Sequence, residues 1–414
     1  MMKKVILVWF RNDLRIHDNE ILFEATTKGD IVIPVFFFDP RYFKRNKFGF
    51  LNTGLRRADF LIQSVQNLKI NLQKIGADLL TFHGKPEDII PTLCAKYDIS
   101  EVYHHREVAS RETNISEIVE TALWSAKINL KHFIGHTLYH KEDLPIPIRD
   151  IPDSFTAFRK KVEKESFVRP ILPAVTSIVT HPHLEKTTIP TLLELGFDDN
   201  DIEKLEKDKN ALLLGGETKA IQQVNKTLDD DYTEINNYNL ITPYIAHGNI
   251  SPAYYHDCIK KTFNVSNKKK HETLTLRLLW RDYFRFMLKK YPNIFFKNHD
   301  NKYDIDTSVE TLKNFIANGS DNSIINQLLD SMIKLGNMPY EYREILAAYI
   351  HQELKVNHLV GAAFFEEYLI DYVPATTYGY WLHYAGSGTS LKNNLKDTWQ
   401  ELVKRNYKGE VLEK

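Results

Sequence analysis

Two oppositely charged residues in the last third of the chain, Arg343 and Asp371, stand in apolar helical surroundings. Arg343 shares one face of a predicted helix with Ala347 and Ile350, so its guanidinium is expected to point inward and to need an anion. Asp371 follows an apolar helix predicted over 358–370, which can pack antiparallel to the helix of Arg343. The sequence therefore predicts a buried ion pair, which either lines a ligand site or only joins two helices.

Aromatic residues are concentrated directly after this aspartate. Five of them lie in the stretch 372–386, around Gly379 and Gly386. Glycine permits close approach of a backbone and aromatic rings offer flat surfaces, a combination that suits a planar heteroaromatic ligand. An aromatic core loop without a ligand is the other interpretation, and the sequence leaves both open.

Three arginines, Arg277, Arg281 and Arg285, follow one another at four-residue spacing on a helix predicted over 272–290, beside a stripe that contains Trp280. In register they can clamp a diphosphate or a nucleic-acid backbone, whereas pairing with surface acids is the alternative. Lysine runs at 260–261, 268–270 and 289–290 are further candidate nucleic-acid patches, although a solvated surface is the favoured interpretation of each single run.

Composition narrows the class of protein. The chain has 414 residues and 43% hydrophobic content, enough for one or two cores. Its 54 lysines and arginines balance 54 aspartates and glutamates, so a nucleic-acid site has to be a local patch. No apolar run approaches the ~18 to 20 residues of a membrane span, and no secretory signal pattern opens the chain. The two distant cysteines allow neither a disulfide framework nor a cysteine metal knuckle, and the histidines lack ligands at metal spacing. A cytoplasmic protein without a membrane or metal site is expected.

The first third of the chain alternates between strand and helix patterns. The predicted strands cover 4–10, 31–38, 77–82, 100–104 and 128–133. The clearest helix runs over 54–75, and Pro86 opens another. This alternation predicts a doubly wound parallel sheet. Neither GxGxxG nor a P-loop follows the first strand, which disfavours a dinucleotide dehydrogenase or a P-loop enzyme.

A change of pattern marks the end of this part. Between Pro145 and Pro190 the periodicity fades and seven of the 16 prolines accumulate, with one helix predicted over 154–164. We therefore expect an α/β domain over 1–134, an interdomain linker over 135–212 and an all-α domain over 213–414. The helices predicted in the last domain cover 216–228, 251–262, 272–290, 323–335, 339–355, 358–370 and 394–406.

Long motifs make the chain resemble the photolyase and cryptochrome family, and within it the DASH cryptochromes, over nearly its full length. The strongest are VWFRNDLRIHDNE at 8–20, FDPR at 38–41 and GKPE at 84–87. The motifs LYHKEDLP at 138–145 and PDSFTAFRK at 152–160 indicate the DASH branch, and LWRDYFR at 279–285 and LIDY at 369–372 are similar in the helical domain.

The resemblance implies a function. It implies an α/β domain, a crossing linker and an all-α domain that holds FAD folded into a U shape. It also implies a blue-light reaction in which reduced flavin lends an electron to a cyclobutane pyrimidine dimer flipped out of DNA, so that the dimer is split. The expected partner is damaged DNA, with single strands preferred because flipping a base out costs less there. A monomer and a methenyltetrahydrofolate antenna near Glu107 are expected as well.

Site residues follow from the same resemblance, position by position. Those assigned to the reaction centre are Trp381, Arg343, Asp371 and Thr377. Those assigned to cofactor binding are Tyr238, Asn239, Thr242, Arg281, Arg285, Arg343, Asp371, Val373 and Thr377. Those assigned to the DNA substrate are Trp280, Arg277 and His383. Trp381 matches the tryptophan that lies nearest the flavin in the family's photoreduction chain.

The chain also departs from the family pattern. Arg277 stands where a substrate-binding glutamate is usual, and a permanent cation offers only donors where a carboxylate accepts. Five further positions carry a residue other than the one usual in the family. Asn337 replaces a tryptophan, Tyr340 an asparagine, and His358 the middle tryptophan of the photoreduction chain. Val373 replaces an aspartate, and Thr377 replaces the residue that faces flavin N5. Three hypotheses therefore stand: a DASH-type photolyase, a flavin photoreceptor or redox protein without repair activity, and a cofactor-free binding scaffold.

Overall fold

The architecture is seen in a computed structural model, which describes residues 3–207, 213–228, 240–299, 302–386 and 397–409. A parallel sheet with helices on both faces precedes a helical part, and a proline-rich segment crosses between the two. The predicted fold class, an α/β doubly wound domain followed by an all-α domain, is confirmed.

The sheet has five parallel strands. They are β1 (Val5–Phe10), β2 (Ile31–Phe38), β3 (Leu80–His83), β4 (Glu101–His105) and β5 (Asn129–Phe133), in the spatial order β3-β2-β1-β4-β5. Every residue of β1 and β2 is buried because helices cover both faces, and such strands read as continuous apolar runs. The strand predicted from Ala77 begins three residues later, since Ala77 still donates its N–H to Leu72 of the preceding helix.

Four helices cover the sheet. They are α1 (Glu20–Lys28), α2 (Leu55–Lys74), α3 (Pro86–Lys96) and α4 (Ser110–Ser125). The first two pack on one face and the last two on the other. The side chain of Asn19 caps α1 by accepting the N–H of Leu22, and Pro86 opens α3 where a missing N–H costs nothing. Cys94 lies in the core as expected, and burial raises the pKa of its thiol to about 12.

The proline-rich segment is a strap that packs on both parts of the molecule. It contains α5 (Phe155–Glu165), as predicted, and α6 (Asp199–Lys207), which is absent from the prediction. Phe155 and Phe158 pack into the helical core, whereas Ile178 and Phe197 pack against the sheet domain. The boundaries after residues 134 and 212 stay predictions.

The helical part surrounds a large apolar core. Its helices are α7 (Glu217–Leu228), α8 (Thr242–Ala246), α9 (Pro252–Lys261), α10 (Lys268–Lys290), α11 (Ile305–Asn318), α12 (Ser323–Leu335), α13 (Tyr340–Ala348), α14 (His358–Tyr368), α15 (Pro374–Tyr384) and α16 (Trp399–Asn406).

Several features of this part differ from the prediction. The short helix α8 is absent from it, and the helix predicted over 394–406 begins at Trp399, with 394–396 outside the described residues. The helix predicted over 339–355 ends as an α-helix at Ala348, because Tyr349–Glu353 form a π-helical turn. The prediction lacks α11, although Asp304 caps that helix by accepting the N–H of Thr307. The aromatic stretch after Asp371 is not a loop but a helix, α15, whose first residue is a proline.

Buried polar contacts join the sheet domain to the helical part. The guanidinium of Arg57 on α2 donates to the carbonyl of Leu369 at 3.0 Å and lies 4.7 Å over the ring of Tyr372. The carboxylate of Asp282 on α10 accepts the N–H of Tyr139 at 2.9 Å. These contacts hold α2 against the segment after α14, and α10 against the start of the strap. Among the described residues, no helix combines the length and apolar character that crossing a bilayer requires.

Candidate functional site

The main cavity of the helical part encloses about 1010 Å³ of empty space, which includes the part that is open to solvent. Its wall combines aromatic rings with paired charges, and it is formed by Thr242, Ile245, Ala246, Thr273, Arg277, Arg281, Pro339, Tyr340, Glu341, Arg343, Phe365, Leu369, Asp371, Val373, Thr376, Thr377, Tyr380, Trp381 and Tyr384.

The predicted pair of Arg343 and Asp371 is formed on this wall. Two nitrogens of the guanidinium meet the two carboxylate oxygens at 3.0 and 2.9 Å, a bidentate arrangement, and Arg343 Nε donates to the carbonyl of Met338 at 2.8 Å. The aspartate is more deeply buried, with 4% of its side chain exposed against 15% for the arginine. Asp371 reaches α13 from the loop after α14. The helix α14 packs chiefly on α15, so the predicted antiparallel packing of this helix on that of Arg343 is not observed. The pair therefore both joins two elements and lines a cavity.

The amino-terminal turn of α15 supplies the second part of the wall. Val373, Thr376 and Thr377 line the cavity there, and the first N–H groups of a helix have no partner within the helix. Thr377 is buried and its N–H donates to the carbonyl of Val373 at 2.9 Å. Within the described residues, the Oγ1 atom of Thr376 and the indole Nε1 of Trp381 are buried polar atoms without a hydrogen-bond partner. Buried polar atoms of this kind indicate a ligand or water that would satisfy them.

Trp381 owes its position to a glycine on the neighbouring helix. Its side chain is fully buried, and a methyl group at Gly361 would overlap its six-membered ring. The ring also packs edge-on to Phe365 at 4.9 Å between centroids. α14 and α15 can therefore place an indole on the cavity wall only because one residue has no side chain.

The three arginines of α10 do not form a single clamp. Arg277 and Arg281 line the main cavity, whereas Arg285 lines a smaller adjoining one and pairs with Glu107 at 3.0 Å. Four residues correspond to about 400° of helix rotation, so each arginine is turned about 40° from the one before. Arg281 borders both cavities and donates to the carbonyl of His136. Thr242 lies on the same wall as Arg281, as predicted for neighbours of one ligand.

Glu107 lies in a buried charge cluster and not on an exposed groove. Its carboxylate accepts from Asn12 at 2.9 Å and pairs with Arg285, with His136 3.4 Å away. Burial alone would raise the pKa of this carboxyl, but His136, Arg285 and Arg11 together lower it. Both of its oxygens thus have partners within the protein, and the residue also lines the smaller adjoining cavity. The antenna contact of Glu107 stays a prediction.

The mouth of the main cavity carries a charge pair that the sequence did not predict. Arg277 bonds Glu341 and lies 4.3 Å over the ring of Tyr340, which in turn contacts Tyr380 at 4.8 Å between centroids. Sixty-four residues separate the two charged partners, so no spacing could have revealed them. The available indication of this pair was Arg277 itself, a cation on a largely apolar helix, which needs an acid nearby.

Two predicted substrate residues lie outside the wall of this cavity. Trp280 is stacked face to face on Phe155 of the strap, at 3.6 Å between centroids and 9° between planes, so one of its faces is covered. His383 lies 6.4 Å from Trp280, and burial lowers its pKa. The predicted stacking of Trp280 against a substrate therefore requires either that the strap moves away or that the substrate approaches the other face of the indole. Tyr238 and Asn239 lie outside the described residues.

A second large cavity, of about 910 Å³, lies at the carboxyl ends of the strands. Trp9, Phe38 and Tyr42 are among the aromatic residues on its wall, and Arg11 and Arg57 are its cations. A cavity of about 390 Å³ lies between it and the main one. Ligands bind to doubly wound sheets at this place, and beyond the apolar strand ends no residue pattern in the sequence indicates the cavity.

The described residues of the main cavity fit a flavin dinucleotide. Arg281, Thr242 and the first turn of α15 offer donors for a diphosphate, and Trp381 offers a flat wall for a ring system. Among the described residues, the buried Oγ1 of Thr376 has no hydrogen-bond partner and can form a hydrogen bond with such a ligand. Among the described residues, no cluster of histidine, cysteine and acidic side chains could hold a metal ion.

Comparison with known proteins agrees with this geometry. Residues 6–176 match the family model of DNA photolyase, and residues 274–403 match that of the FAD binding domain of DNA photolyase. The chain is 34% identical to cryptochrome DASH of Gloeobacter violaceus over 95% of its own length and 81% of that protein. It is 35% identical to the blue-light photoreceptor PHR2 of Arabidopsis thaliana, over 70% of the chain and 71% of that protein.

Solved structures show the same fold. The cryptochrome of Synechocystis superposes with a TM-score of 0.85 at 30% identity, covering 98% of this chain and 86% of that one. An archaeal photolyase from Sulfolobus tokodaii, solved with two FAD molecules, superposes with a TM-score of 0.76 at 20% identity, covering 97% of this chain and 87% of that one. The chain belongs to the photolyase and cryptochrome family, alongside the DASH cryptochromes.

Proposed function

We propose that the main cavity binds FAD. The observation that carries this proposal is the bidentate pair of Arg343 and Asp371 on the wall of an open cavity, beside the first turn of α15. A cation and an anion held rigidly at one wall can each bond one edge of a heteroaromatic ring. Arg281 and Thr242 would hold the diphosphate and ribityl region, and Trp381 would lie next to the ring system.

The test is the absorption spectrum of the purified protein, followed by variants of the pair. We expect flavin absorbance in the wild type and a much lower FAD content in Arg343→Ala and Asp371→Ala. Arg159→Ala, which removes an exposed arginine paired with Glu163, is a matched control and should retain its FAD. Colourless wild-type protein that also fails to take up added FAD would favour the cofactor-free scaffold instead.

The activity that we propose for the loaded protein is that of a DASH-type photolyase, which repairs cyclobutane pyrimidine dimers in DNA. When bound, reduced and excited, FAD would supply the electron that splits the dimer. The protein would exclude water with its aromatic wall, orient the cofactor through Arg343 and Asp371, and admit the flipped nucleotide at the mouth near Arg277. The family motifs over both domains support this proposal.

A flavin photoreceptor or redox protein without repair activity is the second candidate, and two observations favour it. Arg277, at the position of a substrate-reading glutamate, is bonded to Glu341 across the mouth. Trp280, at the position of a substrate-stacking residue, is already stacked on Phe155. Illumination of the reduced protein with a thymine-dimer oligonucleotide distinguishes the two: restored thymines establish the photolyase, and unchanged dimers with intact flavin photochemistry establish the photoreceptor.

We further propose that a second, light-harvesting chromophore binds this chain. The sequence places a methenyltetrahydrofolate near Glu107, but that carboxylate has its bonds within the protein. The cavity at the strand ends is the roomier alternative, and its rings and two arginines suit a planar anionic molecule. Mass spectrometry of small molecules released from the native protein identifies the chromophore, and Arg11→Ala should lower its amount only if it lies at the strand ends. A monomer in the cytoplasm that acts on damaged, preferably single-stranded DNA completes the proposal.

A further inference from the structure

A further cavity lies where the sheet domain, the strap and the helical part meet. It encloses about 620 Å³ of empty space, which includes the part that is open to solvent. Its wall comes from the loops after β1 and β5, from residues 169–172 of the strap and from the first turn of α9. Its wall shares no residue with that of the main cavity or of the cavity at the strand ends. A ligand bound here would therefore contact all three parts of the chain without entering either of those cavities.

A buried arginine stands on this wall. Arg15 is 1% exposed, and it donates two hydrogen bonds to the carbonyl of Asp18 and one to that of Gly248, which leaves two of its five N–H groups without a partner. Among the described residues, no acidic side chain forms an ion pair with it. Burial lowers the pKa of its guanidinium, and the more distant Asp18, Asp13 and Glu217 oppose that shift. Since a buried cation needs an anion in direct contact, the cavity beside Arg15 is a place where an anion would stabilise the protein.

Two further donors border the same space. Pro252 has no N–H and the N–H of Tyr254 is accepted by the capping Ser251 at 2.9 Å, so the N–H of Ala253 is the donor that remains at the start of α9. On the strap, Arg169 bonds the carboxylate of Asp143 through Nε and Nη2, at 2.5 and 3.0 Å. Its Nη1 makes no hydrogen bond with the described residues. These donors come from two elements on either side of the cavity.

Two acids line the cavity as well, and each can tolerate an anion. Both carboxylate oxygens of Asp18 have partners, since one accepts the N–H of Leu172 at 3.0 Å and the other accepts the hydroxyl of Ser251. Burial raises the pKa of Glu20. Its protonated form, which can donate a hydrogen bond to an anion, is therefore easier to reach than that of an exposed carboxyl.

The charged groups near Glu20 come from several elements. His105 on β4 and Arg169 on the strap lower its pKa, whereas Glu24 on α1 raises it. His140, after β5, lines the same cavity, and burial, followed by Arg169, lowers its pKa. Its Nδ1 accepts a backbone N–H at 3.3 Å, so Nε2 carries the proton of the neutral ring. An added negative charge would raise the pKa of both Glu20 and His140, so its binding should be accompanied by proton uptake.

We propose that this cavity binds a small tetrahedral oxyanion, either a free ion or the phosphate group of an organic monoester, through Arg15, Ala253 and Arg169. Guanidinium groups and helix N-termini are the usual partners of such anions, and donors on several elements suit a ligand that has several acceptor oxygens. Leu138 and Leu172 line the same cavity and could contact an organic body. The inference goes beyond the proposed function, since it involves neither flavin nor DNA.

The first experiment titrates the purified full-length protein with sodium sulfate by isothermal titration calorimetry, at about pH 6 and about pH 8. Sodium chloride keeps the ionic strength constant. We expect saturable binding that is tighter at the lower pH, because ionised Glu20 repels the anion. Sulfate keeps both of its charges at the two pH values, so the pH dependence belongs to the protein. Sulfate that binds no better than chloride would overturn the proposal.

Two substitutions at the rim test the site and leave Arg15 in place, because its bonds to carbonyl groups also hold its own loop. Arg169→Gln should weaken sulfate binding roughly tenfold, the value of one charge-assisted hydrogen bond. Glu20→Gln should strengthen binding roughly tenfold at about pH 8 and reduce the difference between the two pH values, since a neutral amide does not repel the anion. Arg159→Gln is the matched control: this arginine of α5 also pairs with an acid, and its side chain has the same 41% exposure as that of Arg169. Sulfate binding that changes in neither rim variant would place the anion elsewhere and contradict the proposal.

Inorganic phosphate and phenyl phosphate then distinguish the two sources of the oxyanion. Tighter binding of phenyl phosphate supports an organic monoester, whereas equal affinities support the free ion. The flavin absorbance of the same preparations reports on the main cavity. It should change neither with sulfate nor in the rim variants, because the two cavities share no wall residue. Loss of flavin as sulfate binds would place the anion in the main cavity and reject the site proposed here.

Discussion

Glu112 on α4 is a buried carboxyl group beside a second carboxylate, Glu107. Burial, and then the charge of Glu107, raise the pKa of Glu112 to about 7, although Arg11 and Arg111 act in the opposite direction. The folded protein therefore keeps this group protonated over a range in which the unfolded chain ionises it. Its contribution to stability is fully present below about pH 4.5 and is lost as the pH rises towards 7.

Glu112→Gln replaces the protonated carboxyl by a neutral group of the same shape. We expect the variant to match the wild type at low pH and to exceed it at about pH 8 by roughly 1–3 kcal/mol in the free energy of unfolding. Urea denaturation at a series of pH values measures this difference. Glu117→Gln, on the exposed face of the same helix, is the control. A difference that stays constant with pH would show that Glu112 is ionised in the folded protein.

At the scale of elements, the packing of α14 on α15 depends on the contact of Gly361 with Trp381. Gly361→Ala should push the indole off its position, because a methyl group there would overlap the ring and the core around it is closely packed. We expect a loss of about 1–3 kcal/mol in the free energy of unfolding and a red-shifted or quenched tryptophan emission. Ala362→Gly on the same helix changes volume equally without facing that constraint. Unaltered emission in Gly361→Ala would show that the two helices can separate freely.

The same elements show what the sequence could and could not predict. β1 and β2 are predictable because parallel strands buried on both faces are unbroken apolar runs. Pro86 and the amphipathic stripe of 54–75 indicate the helices α3 and α2. The sequence pattern does not indicate α15, because two glycines and five aromatic residues suit a loop or a ligand site, although Pro374 at its first position is a helix signal. α11 had its signals too, a capping Asp304 and a terminating Gly319, within a weakly apolar pattern.

Long-range pairs were partly predictable. Arg343 and Asp371 could be paired because the sequence places two opposite charges beside apolar helices that can pack on each other. Arg277 with Glu341 and Arg285 with Glu107 could not, since the partners come from elements whose mutual packing only the fold decides. The four-residue spacing of the arginines allows either one clamp or pairing with acids. The helix twist divides them between two cavities, and Arg277 and Arg285 each pair with an acid.

At the scale of the whole molecule, the sheet domain and the helical part meet at Arg57. Its buried guanidinium donates to the carbonyls of Glu366 and Leu369 at 2.6 and 3.0 Å and lies over Tyr372, just before the first turn of α15. Burial lowers the pKa of this arginine, and Glu366 opposes that shift. The residue that joins the two domains therefore also fixes the segment that carries Asp371 and Val373 into the cavity.

Arg57→Met keeps the aliphatic part of the side chain and removes these bonds. Because carbonyl groups would be left buried without donors, we expect a loss of about 2–4 kcal/mol in the free energy of unfolding. The loop after α14 should loosen with it, so the FAD content should fall although Arg57 lines only the cavity at the strand ends. Thermal denaturation followed beside flavin absorbance measures both effects. Arg45→Met removes an exposed arginine that bonds the carbonyl of Gly49 in its own loop, and it should change neither quantity. Retention of full stability and full FAD content in Arg57→Met would show that the two domains hold the cavity in shape without this contact.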